Sequence, residues 1–218
     1  MSHDHDHDHD HDHPHGHAPH PKQPDIEDAP LGYHEALTEA VIGLLRDKGV
    51  FTAEAFRRVL EEIDSRSPAD GARVVARAWV DPQYRALALR DVNAAARQLG
   101  IDTGGIPIRA VENSARVHNV VVCTLCSCYP RMLLGASPDW YKSRAYRSRV
   151  VREPRAVLRE FGLELPEGQQ VVVHDATAEL RYLVLPRRPE GTEGWSEERL
   201  AGLVTRDCMI GVAVPAAP

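Results

Sequence analysis

The 218-residue sequence contains no stretch of about 18 apolar residues, the length a membrane-spanning helix needs, so no membrane span is expected. It is poor in cysteine, with only four thiols. Three of them crowd into the segment from Cys123 to Cys128, where a disulfide framework would spread them out, and this suits a reducing cytoplasm. The opening Met1-Ser2-His3-Asp4 does not read as a secretory signal, and a cytoplasmic location is expected. Positive charge is in deficit as well: 26 Lys and Arg face 32 Asp and Glu, a formal net charge of -6. Five of those negative charges lie in residues 1 to 13, leaving -1 for residues 14 to 218, and nothing in this balance supports nucleic-acid binding.

What is present divides into three stretches. Residues 1 to 30 carry alternating His and Asp from His3 to His13, then His15, His17 and His20, a composition that cannot bury a core and reads as a disordered tail and linker. Its nine imidazoles, interleaved with carboxylates, could collect divalent cobalt, nickel or zinc, or could only solubilise the chain. Residues 31 to 105 read as a helical arm. Leu37, Val41, Leu44 and Leu45 recur at helical spacing up to Gly49, and Phe56, Val59, Leu60 and Ile63 repeat the pattern after a Thr52 cap. Ser67-Pro68 opens a third helix with Val74, Val75 and Trp79; Asp81-Pro82 opens a fourth that is expected to run through Leu87, Val92, Ala96 and Leu99 to Gly100. Residues 106 to 218 read as a layered α/β core, giving an α+β fold overall. Strands are expected at 120–122, 170–174, 180–185 and 209–214, with helices at 154–161 and 196–204.

The chemistry concentrates in Cys123-Thr124-Leu125-Cys126-Ser127-Cys128, directly after the apolar run Val120-Val121-Val122. Cys126 and Cys128 flank one residue. Their sulfurs, with the main-chain nitrogens of Ser127 and Cys128 if those amides lose their protons, would form a square plane of five- and six-membered chelate rings. Cys123 would be an axial ligand beneath it and a sixth position would stay open. Soft thiolate with anionic nitrogen suits a trivalent transition ion better than zinc, which prefers a closed tetrahedron of side chains. The spacing alone also admits half of a zinc site completed by Cys208, His118 or His174, a Cys-x-x-Cys redox pair, or plain buried thiols.

The segment Val121-Val122-Cys123-Thr124-Leu125-Cys126-Ser127-Cys128-Tyr129 resembles the metal-binding signature of the nitrile hydratase alpha subunit and thiocyanate hydrolase gamma subunit family. The likeness continues through Ser137 to Ser143, Tyr146 to Arg155, Arg181 to Pro186 and Val204 to Val212, covering roughly residues 31 to 215. It implies that Cys126 and Cys128 are oxidised to sulfinic and sulfenic acid, that Cys123 stays a thiolate, and that Cys123, Cys126, Ser127 and Cys128 hold one metal ion per chain. Thr124 and Tyr129 are similar to the family's cobalt members, which implies low-spin cobalt(III), with iron(III) as the alternative. It further implies a layered α/β core joined to a beta-type partner subunit, and an activator or metallochaperone.

That likeness makes the expected function the hydration of a C≡N group by the metal-bearing subunit, with Cys128, Cys126 and Ser127 catalytic and Arg131 and Tyr129 in contact with substrate. Tyr129-Pro130-Arg131 and Ser137-Pro138 look more like thiocyanate hydrolase than nitrile hydratase, as does the His-Asp tail. The glutamine that nitrile hydratases place before the first cysteine would fall at Gly104. Arg131 offers a physical reason, since a guanidinium favours an anion such as thiocyanate over a neutral nitrile. The expected reaction is therefore thiocyanate hydrolysis to carbonyl sulfide and ammonia. Nitrile hydration to an amide is the alternative, and a non-catalytic zinc-binding or metal-storage protein the alternative of another class. For the tail, deleting residues 1 to 20 is expected to leave turnover per bound cobalt unchanged and to lower cobalt occupancy when the metal is scarce, because a flexible ligand-rich segment raises local metal concentration. Equal occupancy at limiting cobalt, read by metal analysis, would leave only a solubilising role.

Overall fold

The computed structural model describes residues 32–216, and the His- and Asp-rich tail lies outside them. The packing divides the chain between Val50 and Phe51, not near residue 105 where the sequence changes from helical to mixed character. In the first unit, helix α1 spans Tyr33–Asp47, its Glu35 carboxylate accepts the Gly32 N–H at 2.8 Å, and Gly49 follows it with φ +70°. Leu37, Val41 and Leu44 are exposed along this helix.

The second unit starts with α2 (Ala53–Ser65), α3 (Pro68–Val80), α4 (Pro82–Arg90) and α5 (Val92–Gln98). Each opens on a side-chain cap that supplies an orphan N–H with an acceptor: Thr52 for Ala55, Ser67 for Ala69, Asp81 for Gln83 and Tyr84, Asp91 for Ala94. The single helix expected from Asp81 to Gly100 is therefore two. Asp91 turns extended, ends α4 and caps α5, so the chain bends and both Ala88 and Val92 reach the interior.

Two parallel strand pairs follow. β1 (Ile108–Glu112) pairs with β4 (Arg181–Leu185), and β2 (Val117–Val122) pairs with β3 (Gln170–Asp175). Helices α4 and α5 pack on β1. Short helices α6 (Arg131–Leu134), α7 (Asp139–Lys142), α8 (Arg144–Arg149) and α9 (Pro154–Glu160) fill the crossover from β2 to β3, as parallel strands require a long connection. The chain closes with α10 (Glu197–Ala201), which lies on α3, and α11 (Arg206–Ile210), which lies against β2, β4 and α3. The strand expected at 209–214 is not formed: Met209 and Ile210 end α11. Thr205 caps that helix by accepting the Cys208 N–H, and Gly211 at φ +91° ends it, while a short apolar run carries no periodicity to distinguish the two outcomes.

A buried polar network joins these layers. His118, 1% exposed, donates from Nε2 to the Gly211 carbonyl at 2.7 Å and accepts at Nδ1 from the Asn113 amide at 3.3 Å. Burial holds its pKa below the ordinary histidine value, in keeping with a neutral ring whose two nitrogens are both used. Gly211 is the joint of this contact. A Cβ there would meet the Asn119 carbonyl oxygen of β2 at 2.0 Å, and φ is already left-handed. Gly211→Ala is expected to cost about 3 kcal/mol from strain and overlap together, lowering Tm by roughly 6 to 12 °C in calorimetry. Gly100→Ala, with φ +72° but open space around it, isolates the strain alone and should cost about 1 kcal/mol.

Candidate functional site

β2 is buried along nearly its whole length and delivers Cys123 into the core, 1% exposed. From Thr124 onward the backbone leaves the sheet, so the next five residues need other partners. The register of β2 with β3 sets Asp175 beside Val122, and the Asp175 carboxylate takes both the Thr124 N–H (2.9 Å) and the Thr124 hydroxyl (2.6 Å). Arg147 Nη1 donates to the Thr124 carbonyl at 3.2 Å, and the Tyr141 hydroxyl donates to the Cys128 carbonyl at 2.8 Å. Leu125, between these anchors, is 86% exposed.

Inside this frame the three sulfurs converge. Cys123 and Cys126 Sγ are 3.5 Å apart and Cys126 and Cys128 Sγ 3.2 Å apart, far longer than a disulfide, and all three thiols are free. They form a group of ligand atoms mutually within 4.8 Å. The Cys126 N–H points at Cys123 Sγ (3.3 Å), and the Ser127 and Cys128 amides follow it in the same loop. Among the described residues those last two amides donate to no oxygen. The Cys128 and Cys123 thiols, then the Ser127 amide, stabilise a thiolate at Cys126 and lower its pKa to about 7. Burial, reinforced by the hydrogen bond with Cys126, pushes Cys128 up to about 12. Cys126 and Cys128 therefore titrate as a coupled pair that gives up its first proton easily and its second with difficulty.

The residues once open as zinc ligands lie elsewhere. Cys208 meets the Thr205 hydroxyl at 3.1 Å, His118 is held by Gly211 and Asn113, and His174 Nε2 meets Asn119 Oδ1 at 2.8 Å. No fourth His, Cys or carboxylate joins the three sulfurs among the described residues.

A cavity of about 690 Å³ opens over the loop, lined by Cys126, Ser127 and Cys128 and by three cations, Arg131, Lys142 and Arg181. No Asp or Glu lines it. Arg131, the first residue of α6, is exposed, while Tyr129 beside it is buried, with its hydroxyl unpartnered and its pKa raised by burial. Gly104 offers no side chain to the region; its φ of +68° puts it in a turn next to Met132 of the cavity wall. Arg181 and Lys142 emerge only from the fold. Arg181 opens β4, its Nε and Nη1 are buried without a partner, and its charge favours the thiolate of Cys128. One sequence signal was available, a charged residue at the head of a strand that is otherwise apolar.

Comparison with known proteins follows the same residues. The family model for the nitrile hydratase alpha chain matches residues 32–213. Similar sequences include the thiocyanate hydrolase gamma subunit of Thiobacillus thioparus, 47% identical over 83% of this chain and 79% of that one. The alpha subunit of the high-molecular-weight cobalt-containing nitrile hydratase of Rhodococcus rhodochrous is 50% identical over 83% of this chain and 90% of that one. Among solved structures, a recombinant thiocyanate hydrolase with partially modified cobalt centres superposes with a TM-score of 0.81 at 45% identity, covering 85% of this chain and 91% of the other. An Fe-type nitrile hydratase of Comamonas testosteroni Ni1 follows at 0.79 and 41%, with the same coverage. With almost every described residue inside the family match, and relatives of near-full length at close to half identity, this chain belongs to the nitrile hydratase alpha-chain family.

Proposed function

We propose that this chain is the metal-bearing catalytic subunit of a thiocyanate hydrolase, holding one cobalt(III) ion on Cys123, Cys126, Ser127 and Cys128 and converting thiocyanate to carbonyl sulfide and ammonia. The donor set fits such an ion. At a metal–sulfur bond of about 2.3 Å, sulfurs at right angles lie about 3.3 Å apart and sulfurs of a tetrahedron about 3.8 Å apart. The 3.2 Å between Cys126 and Cys128 matches the right-angled arrangement, and the 3.5 Å between Cys123 and Cys126 falls between the two. The Ser127 and Cys128 N–H groups donate to no oxygen among the described residues, which leaves both main-chain nitrogens available as further donors. Cobalt is preferred to iron(III) because Thr124 and Tyr129 follow the cobalt-type signature, and both curated relatives above are hydrolases or hydratases of this family, one of them cobalt-containing by name. When bound, the ion supplies Lewis acidity to the nitrogen of a C≡N group.

The chain's own residues do the rest. Cys128, as a sulfenate, would present an oxygen to act as nucleophile toward the C≡N carbon or as base toward the water that attacks it, and Cys126, as a sulfinate, would be the more inert partner. The Ser127 hydroxyl orients the loop between them. The observation that carries the choice of thiocyanate is the cavity wall: Arg131, Lys142 and Arg181 with no carboxylate select for an anion, while Tyr129 lines the same cavity and keeps its hydroxyl buried. Nitrile hydration to an amide is the second reading, favoured by the 50% identity with a cobalt nitrile hydratase alpha subunit. A beta-type partner subunit would cover the exposed Leu125 and Ile106 and complete the cavity, and an activator protein would load and oxidise the site. A zinc-binding storage role is disfavoured because no fourth His, Cys or carboxylate joins the three sulfurs among the described residues.

Peptide mass measurement on the purified complex is expected to show about three added oxygens on Cys126 and Cys128 together and none on Cys123. Active enzyme with all three thiols unoxidised would defeat the mechanism, and Cys126→Ser or Cys128→Ser should abolish activity because a hydroxyl does not match the soft ion. Arg131→Leu should lower kcat/KM for thiocyanate on the order of 10-fold and leave a neutral nitrile nearly unaffected. Equal losses on both substrates would make Arg131 structural and favour the nitrile reading.

A further inference from the structure

One buried aromatic cluster holds two tyrosines with the same chemistry and different targets. Tyr141 of α7, fully buried, donates its hydroxyl to the carbonyl of Cys128 at 2.8 Å. Tyr146 of α8 donates to the carbonyl of Val121 at 2.7 Å, within β2. Both pack edge-on against Trp140. Val121 sits in a paired strand, so its backbone is fixed by the ladder with β3 whether or not Tyr146 holds its carbonyl. Cys128 sits in irregular backbone, and among the described residues its carbonyl has no other donor. At the opposite end of the loop Arg147 makes the matching contact, giving Nη1 to the Thr124 carbonyl and Nε to the Lys142 carbonyl at 3.1 Å, so it ties the loop to the end of α7. Both carbonyls are thereby drawn outward. In Cys128 the carbonyl is held by Tyr141 while the sulfur of the same residue meets Cys126 Sγ at 3.2 Å, so the residue is fixed from both its backbone and its side chain.

We propose that Tyr141 and Arg147 are positioning residues of the cysteine loop: they hold the Cys128 and Thr124 carbonyls outward so that the Ser127 and Cys128 amides stay aimed at the metal position. The inference rests on the metal-centre reading above. Neither side chain would touch substrate or metal. Their effect is on how long the metal stays and how its sulfur and nitrogen ligands are arranged, as second-layer hydrogen bonds tune other metal centres.

The test uses the assembled complex with its metal in place, comparing wild type, Tyr141→Phe and Tyr146→Phe. Each variant deletes one buried hydroxyl and leaves one carbonyl without its donor, so both should lower Tm by a similar few degrees. Tyr141→Phe alone is expected to speed cobalt loss to an added chelator on the order of 10-fold and to move the sulfur-to-cobalt charge-transfer absorption. Wild-type rates and spectrum in Tyr141→Phe, or equal changes in Tyr146→Phe, would overturn the inference while leaving the metal centre standing. A wild-type complex without bound metal would overturn both. Should Tyr141→Phe fail to assemble, Arg147→Met removes the other anchor from a partly exposed position and is read by the same two measurements, with wild-type values again overturning the inference.

Discussion

The Asp175 carboxylate, gripping Thr124 by its N–H and its hydroxyl, is the contact on which the arrangement of the site depends. It exists because β2 and β3 run parallel in a register that places residue 122 opposite residue 175, so the chain leaving β2 finds an acceptor at the same level of the neighbouring strand. Without that acceptor the Thr124 amide, two residues beyond the end of β2, would be unpaired. With it, the loop begins in a fixed direction, Cys123 is turned inward, and the following sulfurs have a floor to close against. The crevice beyond the carboxyl ends of parallel strands is a common place for ligands in α/β folds, and the same reason applies here: pairing ends while backbone groups are still free to point elsewhere.

Sequence conveyed the parts of this site that are close together along the chain. Three thiols in six positions after an apolar strand are a local feature, and their convergence needs only an irregular loop. Helix starts were equally legible at Thr52, Ser67 and Asp81, where an oxygen-bearing side chain precedes a helix-forming run. Asp91 follows the same rule, yet was hidden inside a continuous apolar periodicity. Residues 209–214 could be read either way, and Gly211 decided the outcome through a close approach to β2 that only tertiary structure reveals. Asp175, Tyr141, Lys142 and Arg181 were beyond reach for a different reason: their roles depend on which strands pair and in which register, and one-residue slips reverse every side chain.

Charge tells a similar story at another scale. A body with a formal charge of -1 suggests no electrostatic preference, yet the cavity over the cysteines gathers three cations and excludes acids. The acidic side chains are spent elsewhere, on Arg85, Arg149 and Arg77, in ion pairs at or near the surface. Arg181 is left with two buried, unshared nitrogens at the wall of the cysteine cavity, a donor set suited to an anion.

The parallel pairings also have a kinetic meaning. Strand β2 must wait for residues 170 to 175, and β1 for residues 181 to 185, so each ladder closes a long loop before it gains its first hydrogen bond. Contacts of such high sequence separation form late and slowly. The cysteine loop therefore acquires Asp175 only when most of the chain has been made and folded. Until then the loop lacks that anchor, so the close approach of its three sulfurs is among the last features of the fold to be fixed.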